Sequence, residues 1–203
     1  MLWLNREKIE RSDKMRVLGI DPGTAIVGYG VIDFEKGKYN VVDYGCIYTD
    51  KDLPMEQRLC EIYEQLTELI KKYSPEHMAV EELFYFKNNK TVISVGQARG
   101  VILLCGQQNE VKIQGYTPLQ VKIGITGYGK AEKKQVQLMV QKFLGMKEIP
   151  KPDDAADALA IAFTHINSLN SSFGESLNLK LSTKNLPKEK LTAKEYRELL
   201  LGK

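Results

Sequence analysis

The feature that most constrains the fold is a run of three strand-like segments joined by short turns. They span residues 16–21, 26–34 and 38–48, are rich in Val, Ile and Tyr, and are separated by turns that contain Gly23 and Gly37. Connections this short join antiparallel neighbours, because a parallel crossover needs a dozen or more residues. This part of the chain therefore predicts a three-stranded antiparallel meander.

The hydrophobic period then changes to that of helices interrupted by two short strands. We predict helices at residues 55–73, 88–109, 118–126, 132–144 and 153–167, and strands at residues 77–83 and 111–116. The order predicts an α/β protein with an RNase H-like fold. This fold has a mixed five-stranded sheet, formed by the three-strand antiparallel meander and two parallel strands, with helices on both faces.

The two ends of the chain differ from this central part. Residues 15–167 are the expected RNase H-like domain, with Met15 as its natural start, and residues 1–14 are expected to be a disordered extension. Residues 168–203 are expected to form a polar linker and a short C-terminal helix, with Thr192 as its N-cap. These ends are not expected to belong to the fold.

The cysteines and the distribution of apolar residues indicate where in the cell the protein is located. Cys46, Cys60 and Cys105 are far apart, which favours reduced thiols and argues against a zinc site or a disulfide framework. No apolar run reaches the length of a membrane span, and the charged N-terminus does not resemble a signal peptide. We therefore expect a cytoplasmic protein.

Positive charge is concentrated in one part of the domain. The net charge of the whole chain is only +3, but residues 112–142 contain six lysines against one acid, Glu132. Such a stretch in a near-neutral domain is typical of a face that binds phosphate groups. On charge alone, a solvated helix surface explains it equally well.

Five acidic residues stand at positions where a side chain can reach a crevice. Asp21 ends the first strand, Glu81 and Glu82 end the fourth, and Asp154 and Asp157 lie one helical turn apart at the start of the last helix. Adjacent strand residues point to opposite faces, so only one of the two glutamates can share a site with Asp21. Each acid also has a structural explanation, such as bonds to turn amides or, for the preceding Asp153, a helix cap.

The joint pattern is more specific than any one acid. Carboxylates that crowd together repel one another, and divalent cations remove this repulsion. Two Mg²⁺ ions, or Mn²⁺ in their place, could activate a water molecule and stabilise the leaving oxygen of a phosphodiester. The four carboxylates therefore favour a metal-dependent nuclease.

Five stretches of the sequence resemble RuvC, a family of bacterial endonucleases that act on Holliday junctions. The matching stretches, which recur in the order and spacing of the family, are GIDPGTAIVGYGVID (19–33), AVEELFYFKN (79–88), GQARGVIL (96–103), GYGKAEKKQVQLMV (127–140) and DDAADALAIAFTH (153–165). The resemblance covers residues 15–167. It implies a crossover junction endodeoxyribonuclease that makes symmetric nicks during DNA recombination and repair.

The resemblance also implies roles for individual residues. The catalytic, metal-binding carboxylates would be Asp21, Glu81, Asp154 and Asp157, with Lys122 near the scissile phosphate. Phe84 would stack on an unpaired base, and Lys87 lies in the same loop. The expected DNA-binding lysines are Lys122, Lys130, Lys133 and Lys134, together with Lys87.

The family resemblance implies two kinds of partner besides four-way junction DNA. One is a second copy of the chain, because two symmetric nicks suit a homodimer. The other is a branch-migration complex. The helix at residues 88–109 is our candidate for the dimer surface, because its run VILLC is more apolar than one buried face requires.

Three other functions remain open on the sequence. An actin-like or sugar-kinase ATPase has a similar turn to Asp21-Pro22-Gly23-Thr24, but it needs two such domains, for which the chain is too short. A related nuclease could act on RNA. A junction-binding protein without catalysis is the third alternative, although such a protein would be expected to have lost an acid, and all four are present.

Overall fold

The computed structural model describes residues 14–82 and 89–169, with side chains from Val92 onward in the second range. Ten helices and strands follow one another in these ranges. They are β1 (Lys14–Asp21), β2 (Ile26–Glu35), β3 (Lys38–Tyr48), α1 (Met55–Tyr73), β4 (His77–Glu81), α2 (Asn89–Gln108), β5 (Lys112–Tyr116), α3 (Pro118–Thr126), α4 (Lys133–Phe143) and α5 (Asp153–Leu169).

The five strands form one mixed sheet in the order β3-β2-β1-β4-β5. The tight turns make β1, β2 and β3 antiparallel neighbours, with Asp21 opposite Gly28 and Gly28 opposite Cys46. Helix α1 is the crossover that brings β4 into parallel pairing with β1, and α2 is the crossover that brings β5 into parallel pairing with β4. The predicted meander with two parallel strands is therefore confirmed.

Two hydrophobic layers cover the faces of the sheet. Helices α3, α4 and α5 pack on one face around Leu159, Phe163 and Ile166, and α1 and α2 pack on the other around Ile62, Leu66 and Ile102. Alternate residues of β1 serve the two layers, since Val17 faces α5 whereas Leu18 faces α1 and α2. The central strands are therefore buried on both sides.

Glycines bring α5 unusually close to the sheet. A Cβ atom at Gly19 would lie 2.1 Å from the carbonyl oxygen of Ala158 and 2.8 Å from the amide nitrogen of Ala162. A Cβ atom at Gly28 would lie 2.1 Å from the carbonyl oxygen of Asp154. Glycine is therefore required at both positions, and the close approach fixes the height of the first turns of α5 above β1 and β2.

The predicted boundaries differ from the observed ones by at most two residues wherever the structure describes the chain. Strand β1 starts at Lys14, two residues earlier than expected, because Lys14 and Met15 pair with Glu35 and Phe34. Strand β4 ends at Glu81, two residues before the expected end. The proposed C-terminal helix and residues 1–13 lie outside the described residues. None of the described helices has the length and apolar character that a bilayer crossing requires.

The two histidines of the chain meet in a hydrogen-bonded row beneath the sheet. His165 Nδ1 lies 2.8 Å from the hydroxyl of Tyr116, and His165 Nε2 lies 2.9 Å from Nδ1 of His77. Burial, reinforced by His77, lowers the pKa of His165 to about 4. Burial also lowers the pKa of His77. Both rings are therefore neutral in the folded protein at pH 7.

This row predicts a loss of stability in mild acid. The unfolded chain takes up a proton at His165 near pH 6.5, whereas the folded protein takes it up only near pH 4. The free energy of unfolding should thus fall between these pH values, by about 3 kcal/mol for His165 alone. Chemical unfolding of the wild type and of His165→Gln at pH 7.5 and pH 4.5 would measure the effect. Equal losses of stability in the two proteins would contradict it.

Candidate active site

Two carboxylates meet at the end of neighbouring parallel strands. Strands β1 and β4 run in the same direction, and Ile20 pairs with Val80, so the next residues, Asp21 and Glu81, lie side by side at the carboxyl edge of the sheet. Their carboxyl groups lie close enough for each to shift the pKa of the other. The crevice outside the carboxyl ends of parallel strands is where α/β proteins commonly bind ligands.

The side-chain alternation of β4 decides between the two adjacent glutamates. Ala79 packs in the layer of α5, so Glu81, two residues later, faces the same side as Asp21. Glu82 turns the other way, and its carboxylate lies over Gly115 of β5. The structure thus brings Glu81 to Asp21 and leaves Glu82 out, as the alternation rule requires.

The first turn of α5 brings two more carboxylates to this edge. Asp154 lies directly above Gly28, the residue that pairs with Asp21, and Asp157 follows one turn later. The negative charges of Asp154 and Asp157 both act on Asp21. All four predicted carboxylates are therefore brought to one edge of the sheet by β1, β4 and α5.

The negative charge of this cluster is poorly compensated. Burial is the main cause that raises the pKa of Asp21, and repulsion from Glu81, Asp157 and Asp154 adds to it. Burial and repulsion from Asp157 likewise raise the pKa of Glu81. Burial also raises the pKa of Asp157, against the opposing effect of Lys133. Ionisation of these carboxyl groups in the folded protein therefore costs stability.

Lys133 is the cation that the structure places at the cluster. Its Nζ atom lies 2.9 Å from Oδ2 of Asp157 and 3.4 Å from Oδ2 of Asp153. Asp153 is the first residue of α5 and not the expected cap, because the carbonyl oxygen of Pro152 accepts the first helical hydrogen bonds. Lys122 of α3 is also close enough for its charge to lower the pKa of Glu81.

The donor chemistry of the cluster fits hard divalent cations. Within the described ranges, no three His, Cys, Asp or Glu side chains already converge tightly enough to hold an ion. However, the four carboxylates supply only oxygen ligands, which Mg²⁺ and Mn²⁺ prefer. The ammonium group of Lys133 already sits against Asp157, where positive charge is favoured. A divalent ion would relieve the same repulsion more strongly.

Of the other four predicted DNA-binding residues, the structure describes Lys130 and Lys134. Lys130 and Lys134 flank the start of α4 and are exposed, and neither has an ion-pair partner among the described side chains. Gly127 ends α3 with a φ of 70°, which glycine adopts without strain and which starts the turn toward Lys130. Phe84 and Lys87 lie outside the described residues.

Sequence reasoning missed two arginines that hold the backbone beside the acids. Arg58 donates from Nε to the hydroxyl of Thr49 at 2.9 Å, and that hydroxyl donates to the carbonyl oxygen of Thr24 at 2.5 Å, in the turn after Asp21. Arg99 donates from Nε to the carbonyl oxygen of Glu81 at 3.1 Å. The only sequence signal for Arg99 was its place in the stretch GQARGVIL, to which no role was assigned.

Comparison with known proteins shows a similarity that covers most of the chain. The family model described as "Crossover junction endodeoxyribonuclease RuvC" matches residues 17–165. A protein of that same description from Fusobacterium nucleatum is 65% identical over 188 residues, which cover 92% of this chain and 99% of the relative.

Solved structures show the same similarity. The structure of Thermus thermophilus RuvC aligns with a TM-score of 0.73 at 38% identity and covers 78% of this chain and 98% of that one. The T. thermophilus protein in complex with a Holliday junction substrate aligns with a TM-score of 0.70 at 35% identity, over 77% and 96% of the two chains.

Proposed function

The chain belongs to the RuvC family of crossover junction endodeoxyribonucleases, and from this premise we propose that its four-carboxylate cluster is the centre with which it cuts DNA. The protein has the RNase H-like fold and resolves Holliday junctions in DNA recombination and repair, as its family does. The family depends on divalent metal ions. The observation that carries our proposal is the meeting of Asp21 and Glu81 beneath Asp154 and Asp157.

We assign the metal ligands to the four carboxylates. Asp21, Glu81, Asp154 and Asp157 would hold two Mg²⁺ ions in each subunit, with Mn²⁺ able to replace them. When bound, such ions act as Lewis acids that lower the barrier to phosphodiester hydrolysis by several kcal/mol. The contribution of the chain is to hold the carboxylates at one edge of the sheet in an orientation that α5 and Gly28 fix.

The lysines have two different tasks in this proposal. Lys122 lies near Glu81, where its ammonium group can bind an oxygen of the scissile phosphate. Lys133 can exchange its bonds with Asp157 and Asp153 for bonds to DNA when the carboxylates bind metal. Exposed Lys130 and Lys134 would contact the phosphate backbone, and Lys87 and Phe84 would contact the junction near its crossover.

We also propose a division of the chain into a domain and two flanking segments. Residues 15–167 would be the nuclease domain of a cytoplasmic protein, residues 1–14 an extension, and residues 168–203 a polar linker with a short C-terminal helix. We propose that this helix docks on a partner such as a branch-migration complex. Identical sets of bound proteins for the full chain and for a chain that ends at Leu169 would contradict the docking role.

An apolar stripe on α2 fits contact with a second copy of the chain. Ile93 and Leu104 are 69% and 53% exposed, and Gln97 and Gly100 lie between them at helical spacing. The stripe faces away from α1 and from the sheet. An isologous contact of this kind pairs the same surface of two subunits, so that two active sites face a substrate with twofold symmetry.

We expect the double variant Ile93→Asp, Leu104→Asp to be a monomer. Carboxylates buried in a contact between copies lose hydration without gaining partners, which should weaken dimerisation at least about 100-fold. Light scattering after size-exclusion chromatography would measure the mass. Leu138→Asp, which places a charge on the surface of α4, is the matched control and should remain a dimer. A wild-type monomer, or a dimeric double variant, would contradict the assignment of this surface.

The central test uses a labelled four-way junction and a linear duplex of the same sequence. Each is incubated with the wild-type protein in Mg²⁺ and in EDTA. We expect paired, symmetric nicks in the junction only, and only with Mg²⁺. Binding without cutting in Mg²⁺ or Mn²⁺ would indicate a junction-binding protein without catalysis. Neither binding nor cutting of the junction would indicate the alternative nuclease, which acts on RNA.

A further inference from the structure

The main chain at Glu81 can form hydrogen bonds with only one of the two neighbouring strands. Strand β1, the neighbour of β4, ends at Asp21 and is followed by Pro22, which has no N–H to donate. On the other side, β4 is still held by β5, since the amide of Glu82 donates to the carbonyl oxygen of Tyr116 at 2.7 Å. The end of β4 is thus secured by β5 but not by further pairing with β1.

Arg99 of α2 supplies a hydrogen bond at this point. Its Nε atom lies 3.1 Å from the carbonyl oxygen of Glu81, and its side chain is partly buried between the helix and the strand end. Arg99 has no ion pair with a carboxylate in the part of the chain that the structure describes. A partly buried guanidinium with no acidic partner is costly unless its hydrogen bonds are used. The bond to the carbonyl oxygen of Glu81 is one of these hydrogen bonds.

The contact acts on the position of Glu81 and not on its charge. The pKa of the Glu81 carboxyl is shifted by its burial and by four neighbouring side chains, those of Asp157, Asp21, Lys133 and Lys122. Arg99 instead binds the main chain, and it does so from a helix on the opposite face of the sheet from α5. A hydrogen bond from a charged donor contributes about 1.5–3 kcal/mol, enough to define one orientation of the strand end.

We propose that Arg99 is a positioning residue that fixes the end of β4 so that the Glu81 carboxylate can bind metal together with Asp21. The inference rests on the proposed function, because it takes Glu81 as a metal ligand. Residues that orient metal ligands commonly change metal affinity or activity 10- to 100-fold when replaced. The role also links metal binding to α2, the helix whose opposite side carries Ile93 and Leu104.

The test compares Arg99→Met, Arg99→Lys and the control Gln107→Met, which alters an exposed residue of the same helix outside the stripe of Ile93 and Leu104. Mn²⁺ binding to the DNA-free protein is measured from the rise in melting temperature with Mn²⁺ concentration. Junction affinity is measured in EDTA by fluorescence anisotropy. Single-turnover cleavage is then measured over a range of Mn²⁺ concentrations.

We expect Arg99→Met to need about 10- to 100-fold more Mn²⁺ for half saturation, in both the melting and the cleavage experiments. Junction affinity should stay within about threefold of the wild type, and saturating Mn²⁺ should restore most of the cleavage rate. Arg99→Lys should be intermediate, because its ammonium group keeps a donor but not the guanidinium geometry. Gln107→Met should match the wild type.

Wild-type Mn²⁺ affinity combined with weakened junction binding would overturn the proposal and make Arg99 a phosphate contact. If Arg99→Met does not fold, Arg99→Lys decides in the same way: unchanged Mn²⁺ affinity overturns the proposal and weakened affinity supports it. Failure of the proposed function would look different. The wild-type protein itself would then fail to bind Mn²⁺ or to cut the junction, whatever residue stands at position 99.

Discussion

Asp21→Asn should cut junctions at least about 1000-fold more slowly than the wild type and should nevertheless melt at a higher temperature. The slower cutting is expected because Asp21 lies at the centre of the carboxylate cluster, where a lost metal ligand removes several kcal/mol of transition-state stabilisation. The higher melting temperature is expected because burial and three neighbouring carboxylates make the charge of Asp21 unfavourable in the folded protein. An amide removes that charge and keeps the shape of the side chain.

The measurements are single-turnover cleavage with Mg²⁺ and thermal unfolding in EDTA at pH 8. Relief of a few kcal/mol should raise the melting temperature by about 5 °C or more for a chain of this size. Glu82→Gln is the matched control, because Glu82 is the neighbouring acid that faces away from the cluster. It should leave both quantities near the wild-type values. Similar cleavage by Asp21→Asn and Glu82→Gln would show that the cluster has been assigned wrongly.

The second large effect is expected at Gly19, in the middle of β1. Its added Cβ atom in Gly19→Ala would lie 2.1 Å from the carbonyl oxygen of Ala158, and a backbone atom cannot move aside as a flexible side chain does. Helix α5 must therefore shift away from the sheet. We expect a loss of about 3 kcal/mol or more in the free energy of unfolding, together with slower cleavage, because Asp154 and Asp157 move with the helix.

Urea denaturation measures the stability, and junction cleavage at a temperature where the variant is folded measures the displacement of the carboxylates. Gly37→Ala is a useful comparison, because Gly37 has no atom within 4 Å of an added Cβ but has a φ of 78°. It should cost only about 1 kcal/mol, through backbone strain, and should not slow cleavage. A Gly19→Ala protein as stable as Gly37→Ala would mean that α5 does not lie as close to β1 as described.

Much of the fold could be predicted because local patterns and global topology agree. The short turns at Gly23 and Gly37 allow only antiparallel neighbours, and helix-period segments between later strands impose parallel pairing. The same logic predicted that only one of Glu81 and Glu82 could share a site with Asp21, because adjacent side chains of a strand point to opposite faces. The resemblance to the family, and not the strand pattern, identified that residue as Glu81.

Other features depend on contacts that no local pattern contains. The side chain of Arg99 binds the main-chain carbonyl oxygen of Glu81, 18 residues away. Every residue has such an oxygen, so the sequence does not indicate which one an arginine will bind. Asp153 looked like a helix cap because of its residue type, but the preceding Pro152 takes that position and Asp153 pairs with Lys133 of α4. The meeting of His77 and His165 likewise joins residues 88 positions apart.

The position of α5 at the end of the described chain has a consequence for how the protein is made. A polypeptide that has left the ribosome only up to the end of α4 at Phe143 already contains all five strands, with Asp21 and Glu81. It lacks Asp154 and Asp157, and it lacks the helix that covers the glycines of β1 and β2. Unfinished or prematurely terminated chains therefore carry only half of the proposed centre. We therefore expect a nascent chain to cut DNA only after α5 has been synthesised.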